Sequence, residues 1–468
     1  MTDFSVILQS PQVRAVVQDN LLERAFHDAL FPGMLFRGEA VPVPHPGQSG
    51  DTQIFTAPGL MAPKMKPLRP GVDPDDSTYG YEQWQMTLAT YADSIPTHMP
   101  TSDVAAVDLF MRNAHQLGLS AAQSLNRIVR NRMYGAALSG WTVADGAQGP
   151  TTTLRVKRLN GFTRARNPNL PAGSTVRFDY VSSSNPLSIT IFDTAGPAAV
   201  VRNVTGYTAD NPGDEVGPGT LTISANVTVL DRAYVYSIDR TAIVRVGGGN
   251  SVDSLISTDI ARLTDVRAVV TNFWQNNVPA HADQRFHCHV DPTNVAQLFD
   301  DPEFQRLSTS LPDYVIYRQF AVGEILNTVF FKNTECPIAQ TVLPGDGVTY
   351  SEDDPFPGEL YSTGVSTSTP VHRMLFTAQG GIMEYHQDTD AYITEAGIMG
   401  KIADPRINNN GIDVVSDRIK MIIRAPQNKL QDMVSTTWRF VGDWPARTDS
   451  STGSASRYKR FQCIETGA

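Results

Sequence analysis

Between Thr101 and about Leu138 the apolar residues recur three or four apart, at Val104, Val107, Met111, Ala114, Leu117, Ala121, Leu125 and Ile128. That spacing puts a stripe on one face of an α-helix. Ser102 is placed to cap its start with Asp103 and Asp108 near the positive end of the dipole, and Arg127, Arg130 and Arg132 lie toward the negative end. Pro100 and Gly140 punctuate the two boundaries, and Gly118 weakens the middle by roughly 1 kcal/mol relative to alanine. An unbroken rod of that length measures roughly 50 Å. With no partner of similar length beside it in sequence, it argues against a four-helix bundle.

A shorter amphipathic helix is expected over Ser10 to Leu30, with Pro11 at its first position and Val13, Val16, Val17, Leu21 and Ala25 on one side. Val41-Pro42-Val43-Pro44 has too few donors for a central strand and reads as an extended arm. From Gln53 to Ile95 alternation predicts a long β-hairpin, with Trp84, Met86 and Leu88 facing one way and Gln83, Gln85 and Thr87 the other. Between its strands, Ala57 to Ser77 contains five prolines, then Lys64, Lys66 and Arg69 followed by Asp73, Asp75 and Asp76. A proline-stiffened, bipolar segment of this length is built to reach another chain. The residues expected at that contact are Lys64, Lys66, Arg69, Asp73, Asp75, Asp76 and Trp84.

Past the rod the pattern shifts to short alternating runs, at Thr153–Val156, Thr175–Tyr180, Leu187–Ile191, Thr220–Ile223 and Tyr234–Ile238. Turn signals such as Asn185-Pro186, Asn211-Pro212-Gly213 and Gly217-Pro218-Gly219 separate them, which predicts an inserted β-sandwich or barrel over 146–249. Gly247-Gly248-Gly249 closes it as a hinge, because no Gly-Lys-Ser/Thr follows to make a phosphate loop. Mixed α and β elements come next: a helical face over Asp259 to Trp274, a strand at Phe286 to Val290, a helix opened by Asp291-Pro292, a strand at Tyr314 to Tyr317, and a strand through Gly323 to Phe331 interrupted by Asn327. Long strands end the chain, with Ile419, Met421 and Ile423 on one face and Val434, Thr436, Trp438 and Phe440 on another. The basic Arg457-Tyr458-Lys459-Arg460 is expected at a solvated edge.

Composition narrows the class. The 468 residues carry a formal net charge of −10, with 38 Lys and Arg against 48 Asp and Glu. Such an acidic whole argues against a protein whose task is to grip nucleic acid, though not against a wall that encloses it. Neither a secretory start nor an apolar run of membrane-spanning length is expected. Three widely spaced cysteines, Cys288, Cys336 and Cys463, read as free thiols.

Chemistry is sparse. His287 and His289 share a strand face near His281, while Cys288 points away and no third ligand is fixed in sequence, so no metal is expected. Glu352, Asp353 and Asp354 lack the central glycine of a Ca²⁺ loop. No nucleophile elbow, HExxH or dinucleotide glycine pattern occurs, so no catalytic residue and no cofactor are assigned.

The order of parts, with HVDPTNVAQLFDDPEFQRL at His289 to Leu307 and VGEILNTVFF after it, resembles the major capsid proteins of tailed bacteriophages and their HK-97-like fold. The fold class is then α+β, the HK-97-like capsid fold plus an inserted all-β domain. The resemblance implies an N-terminal arm (1–47), an extended loop (48–100), a spine helix of the peripheral domain (101–145), the inserted β domain (146–249), an axial domain (250–384), and return strands with a C-terminal tail (385–468). It implies a non-enzymatic coat subunit that self-assembles as hexamers and pentamers into an icosahedral virion shell in the host bacterial cytoplasm. The shell would enclose double-stranded DNA without sequence-specific binding or membrane association. A separate scaffolding protein, a portal and a decoration protein are its implied partners. In some relatives a loop lysine forms an isopeptide bond with asparagine; Lys64, Lys66 and Asn408 to Asn410 are this chain's residues of that kind, and nothing in the sequence identifies a catalytic glutamate. An encapsulin-like compartment shell, and a carbohydrate-binding or hydrolytic protein bearing a β domain, are the alternatives.

Overall fold

The computed structural model describes residues 35–45, 50–58, 64–65, 67–69, 71–98, 109–167, 175–192, 199–249, 252–310, 324–338, 370–387, 411–416, 418–424, 433–449 and 457–467. In chain order come strands β1 (Val41–Pro44), β2 (Thr52–Pro58), β3 (Tyr81–Thr87) and β4 (Ala89–His98), then helix α1 (Leu109–Ala137). Next are β5 (Trp141–Val143), β6 (Gln148–Val156), β7 (Arg164–Arg166), β8 (Thr175–Val176), β9 (Phe178–Tyr180), β10 (Leu187–Phe192), β11 (Ala199–Ala209), β12 (Gly219–Val229), β13 (Tyr234–Ser237) and β14 (Ile243–Arg245). Helix α2 (Leu263–Gln275), β15 (Phe286–Val290), helices α3 (Pro292–Asp300) and α4 (Pro302–Ser310), β16 (Glu324–Ile325), β17 (Thr328–Lys332), β18 (Val371–Thr377), β19 (Met383–His386), β20 (Gly411–Ser416), β21 (Ile419–Arg424), β22 (Met433–Asp443) and β23 (Phe461–Gly467) follow. No helix among the described residues is long and apolar enough to cross a membrane. The expected helix at Ser10–Leu30, the cap at Ser102, the strand at Tyr314–Tyr317, the carboxylates Glu352, Asp353 and Asp354, Lys66 and Asn408–Asn410 lie outside the described residues.

Two compact units emerge. The first, Met1–Gln53, Met86–Arg130 and Ile382–Pro445, holds a six-stranded sheet ordered β1-β19-β22-β21-β20 with β4 alongside β22. Here the hairpin departs from expectation. Its return strand breaks at Leu88, and β4 leaves β2 to pair over its whole length with β22, Ala89 opposite Gly442 and His98 opposite Met433. The strand that the alternation ran on to Ile95 thus belongs to this sheet. The long helix lies along it, Asn113 donating to Thr97 at 2.8 Å and Ser120 to Asp93 at 3.2 Å. Its face of Ala114, Leu117, Ala121 and Leu125 is buried, as the spacing required.

The second unit is Ile54–Gln85, Asn131–Gly381 and Ala446–Ala468. Within it α1 ends where Gly140 takes φ +80° and Gly161 takes +82°; a side chain on Gly161 would meet the Gly140 nitrogen at 2.3 Å. The last carbonyls of the helix have no intrahelical donors, and distant groups supply them. The Thr241 hydroxyl donates to Ala137, Asn160 Nδ2 to Gly135 at 2.6 Å, and Arg158 Nη2 to Leu138 at 2.7 Å.

The β-rich stretch that follows forms an antiparallel sheet ordered β5-β13-β10-β11-β12-β6. Its ends meet: Asp145 donates to the Arg155 carbonyl at 3.1 Å, Lys157 to that of Val143 at 3.0 Å, and Ala144 bridges Val156. The result is a closed six-stranded barrel filled by Leu154, Val156, Leu187, Ile189, Ile191, Val204, Leu221, Ile223, Val229 and Val235. Strand β11 carries no clean alternation in sequence, because Arg202, Asn203 and Thr205 interrupt its apolar positions.

A third sheet runs β14-β23-β18-β15-β17-β16. On one face Val266, Val270 and Phe273 of α2 and Val295 and Leu298 of α3 share a core with Cys288, Phe376 and Ile464. The interrupted strand at Gly323–Phe331 is in fact a hairpin: Ile325 pairs Thr328, and Leu326 and Asn327 take φ of 51° and 61°, a type I′ turn. The C-terminal segment is likewise no solvated edge. Strand β23 is buried throughout and sits between β14 and β18, and Arg457 is only 8% exposed, its guanidinium 4.2 Å from the Phe178 ring centroid.

Candidate functional site

Strands β2 and β3 make a ribbon that has little core of its own. Along β2 every residue is exposed or half-buried, and of β3 only Glu82 and Met86 are buried. Local contacts hold the two strands in place. Phe55 stacks on Trp84 at 5.9 Å, the Arg447 guanidinium lies 5.4 Å from the Trp84 ring, and Gln83 donates to Thr56 at 3.1 Å. On the side away from β2, β3 pairs in parallel with β8, Tyr81 opposite Thr175.

Of the expected contact residues, Lys64, Arg69, Asp73, Asp75 and Asp76 are exposed, whereas Trp84 is half-buried against its own chain. Lys64 folds back to donate to the Asp75 carbonyl, and Val72 donates to Arg69 at 3.2 Å across Gly71, whose φ is +81°. Among the described residues Arg69, Asp73, Asp75 and Asp76 form no ion pair. The same tip also exposes apolar side chains: Met65 is 89% exposed, Leu68 60% and Val72 57%. Fully burying an apolar side chain of this kind contributes roughly 1.5 to 3 kcal/mol. The signal was present in the sequence, masked by the flanking charges and prolines.

The N-terminal strand is locked at its base. Arg37 grips Glu384 through two bonds of 2.7 Å, Arg418 adds a third at 2.8 Å, and Trp444 Nε1 lies 3.4 Å away. Burial pushes the Glu384 carboxyl up, but Arg37 and Arg418 outweigh it and hold it below the usual carboxylate range. Val41 to Pro44 then run parallel to Met383 to His386 as an edge strand, which accommodates two prolines.

The histidines of the third sheet are paired with carboxylates or packed on aromatic rings. His281 and His287 stack with centroids 3.9 Å apart, and His287 Nε2 lies 3.2 Å from Asp283. His289 is buried against Phe331, and Cys288 points into the opposite core, as strand alternation required. His372 Nδ1 meets Asp291 Oδ2 at 2.7 Å, an acid–base pairing in form. The neighbouring Thr466 hydroxyl donates to Asn294 Oδ1 at 2.7 Å. Asp291 also caps α3, accepting from the Thr293 nitrogen at 3.1 Å.

No protein-family model and no curated protein matches the sequence. Solved structures do. The capsid of Ralstonia phage GP4 is similar at 12% identity and a TM-score of 0.48, over 94% of this chain and 90% of that one. The cyanophage P-SCSP1u capsid is similar at 10% identity and 0.46, over 93% and 88%. The cyanophage Pam1 capsid is similar at 6% identity and 0.47, over 90% and 86%.

Proposed function

We propose that this chain is the major capsid subunit of a tailed bacteriophage, a coat protein that assembles with its own copies into the icosahedral shell around double-stranded DNA. The observation that carries the proposal is the ribbon. Its outer strand β2 buries no residue and β8 adds only a two-residue pairing beside Tyr81 and Glu82, so the ribbon is marginal on its own in water, and it ends in exposed Met65, Leu68 and Val72. Such a part gains its contacts from a neighbouring copy, and many such contacts closed by symmetry make a stable shell. On this reading the ribbon is the extended loop, α1 the spine helix of a peripheral domain, the barrel an inserted domain, and the α2–β18 region an axial domain. The role is structural rather than enzymatic. Scaffolding, portal and decoration proteins, and a particle assembled in the bacterial cytoplasm, belong to the same proposal.

Deleting residues 63–76 tests it. The variant is expected to keep the circular dichroism and melting profile of the parent chain while failing to form particles in negative-stain micrographs. Particles of normal size and stability from that deletion would overturn the proposal. An encapsulin-like shell shares the architecture, and recovery of protein-filled instead of genome-filled particles would favour it.

A further inference from the structure

Charge is unevenly distributed along this chain. The whole carries a formal net charge of −10. Helix α1, from Leu109 to Ala137, contains Arg112, Arg127, Arg130 and Arg132 and no aspartate or glutamate. Its buried side takes Ala114, Leu117, Ala121, Leu125 and Val129. The opposite side leaves Arg112, His115, Gln116, Gln123 and Arg127 exposed, with Leu119 half-buried between them. At 3.6 residues per turn Arg112, Gln116, Gln123 and Arg127 fall within about 60° of one another, along ~22 Å of helix.

We infer that this stripe is a sequence-independent contact for the backbone phosphates of duplex DNA. The inference rests on the shell reading and adds which surface of the subunit meets the packaged molecule. Three features select the ligand. Arginine and glutamine side chains spaced about a turn apart supply the donors that phosphate oxygens accept, and such contacts position a protein without reading bases. Among its described side chains the stripe has no exposed Trp, Tyr, Phe or large aliphatic anchor, which a protein partner would need for a stable interface. Its one ring, the His115 imidazole, is a single platform and cannot stack the successive unpaired bases of a single strand. Two exposed arginines in an acidic subunit make a weak contact that salt releases. Repeated over many copies, it holds a polyanion against the wall without trapping it.

The test uses the full-length chain and a fluorescein-labelled duplex of about 20 base pairs, followed by anisotropy across a salt series. The parent is expected to bind weakly, with log K falling against log salt at a slope near −2. The R112Q/R127Q double variant is expected to flatten that slope by about 1.8 and to bind roughly tenfold or more weakly at the lowest salt. R177Q, which removes an exposed arginine of the β-rich region, is expected to leave both unchanged. Absence of duplex binding by the parent, an unchanged slope in the double variant, or an equal loss in R177Q would each overturn the inference. A double variant that binds duplex normally but no longer assembles would place a protein on the stripe, and also overturns it. Particle formation is scored separately by negative stain. Particles with an unchanged slope sink only the phosphate contact, whereas stripe-dependent binding by a chain that never forms particles sinks only the shell.

Discussion

Glu465 shows how much a single carboxylate can organise. It lies in one row across three strands, with Arg245 Nε at 2.8 Å and Arg373 Nε at 3.0 Å, and all three residues are buried. Burial drives its pKa up, yet the two guanidinium groups prevail and leave it depressed. Glu465→Gln strands two buried cations, so it is expected to cost about 3 to 5 kcal/mol in urea unfolding. The sign of the pH effect follows from the direction of the shift. Glu465 and Glu384 have folded pKa values below their unfolded ones, so their stabilisation is complete above about pH 4.5 and is lost as pH falls through the folded values. Melting temperature is therefore expected to decline in acid for the parent and to decline less steeply in Glu465→Gln. Leu326 holds φ +51°, where a leucine is strained. Replacing Leu326-Asn327 by Asn-Gly suits a type I′ turn and is expected to stabilise by about 1 kcal/mol, read as a shifted urea midpoint. At this scale the sequence spoke where chemistry is local: Asp291-Pro292 announced a cap and a first turn, and both are there. It was silent where partners are distant, since nothing near Arg373 indicates that Glu465 lies opposite; a charge in the middle of each apolar run was the only hint.

At the scale of elements, periodicity carried most of the information. The 3.6-residue rhythm found α1 and its buried face, and the two-residue rhythm found β10, β13 and β22. It failed where one rhythm continues across a break. The hairpin alternation runs without interruption through Leu88, although β3 and β4 pair with different strands on either side of it. Alternation records which way side chains point, and it cannot name the strand that accepts the hydrogen bonds. The barrel depends on its filling, as closure leaves no other face to bury. Ile191 is fully buried on β10, and Ile191→Ala is expected to cost about 2 to 5 kcal/mol, measured as a lowered thermal transition.

For the whole molecule, the least legible feature was long-range closure. Residue 37 is fastened to residue 384, and the strand ending at Gly467 lies between β14 and β18 instead of at a border. Both ends of the described chain are thus tied into sheets by segments hundreds of positions away, and loop-closure entropy, growing only as the logarithm of length, permits it. The expected contact residues were legible as a charged tip, but the exposed Met65, Leu68 and Val72 were concealed within it. One consequence of the barrel reaches beyond the subunit. Many copies crowded shoulder to shoulder endanger any protein whose sheet has an unfinished rim, because rims zip together. A hoop of staves has none, so on the proposed shell reading the barrel, unlike the open sheets bordered by β1 and β2, adds no place where crowded neighbours could fuse strand to strand.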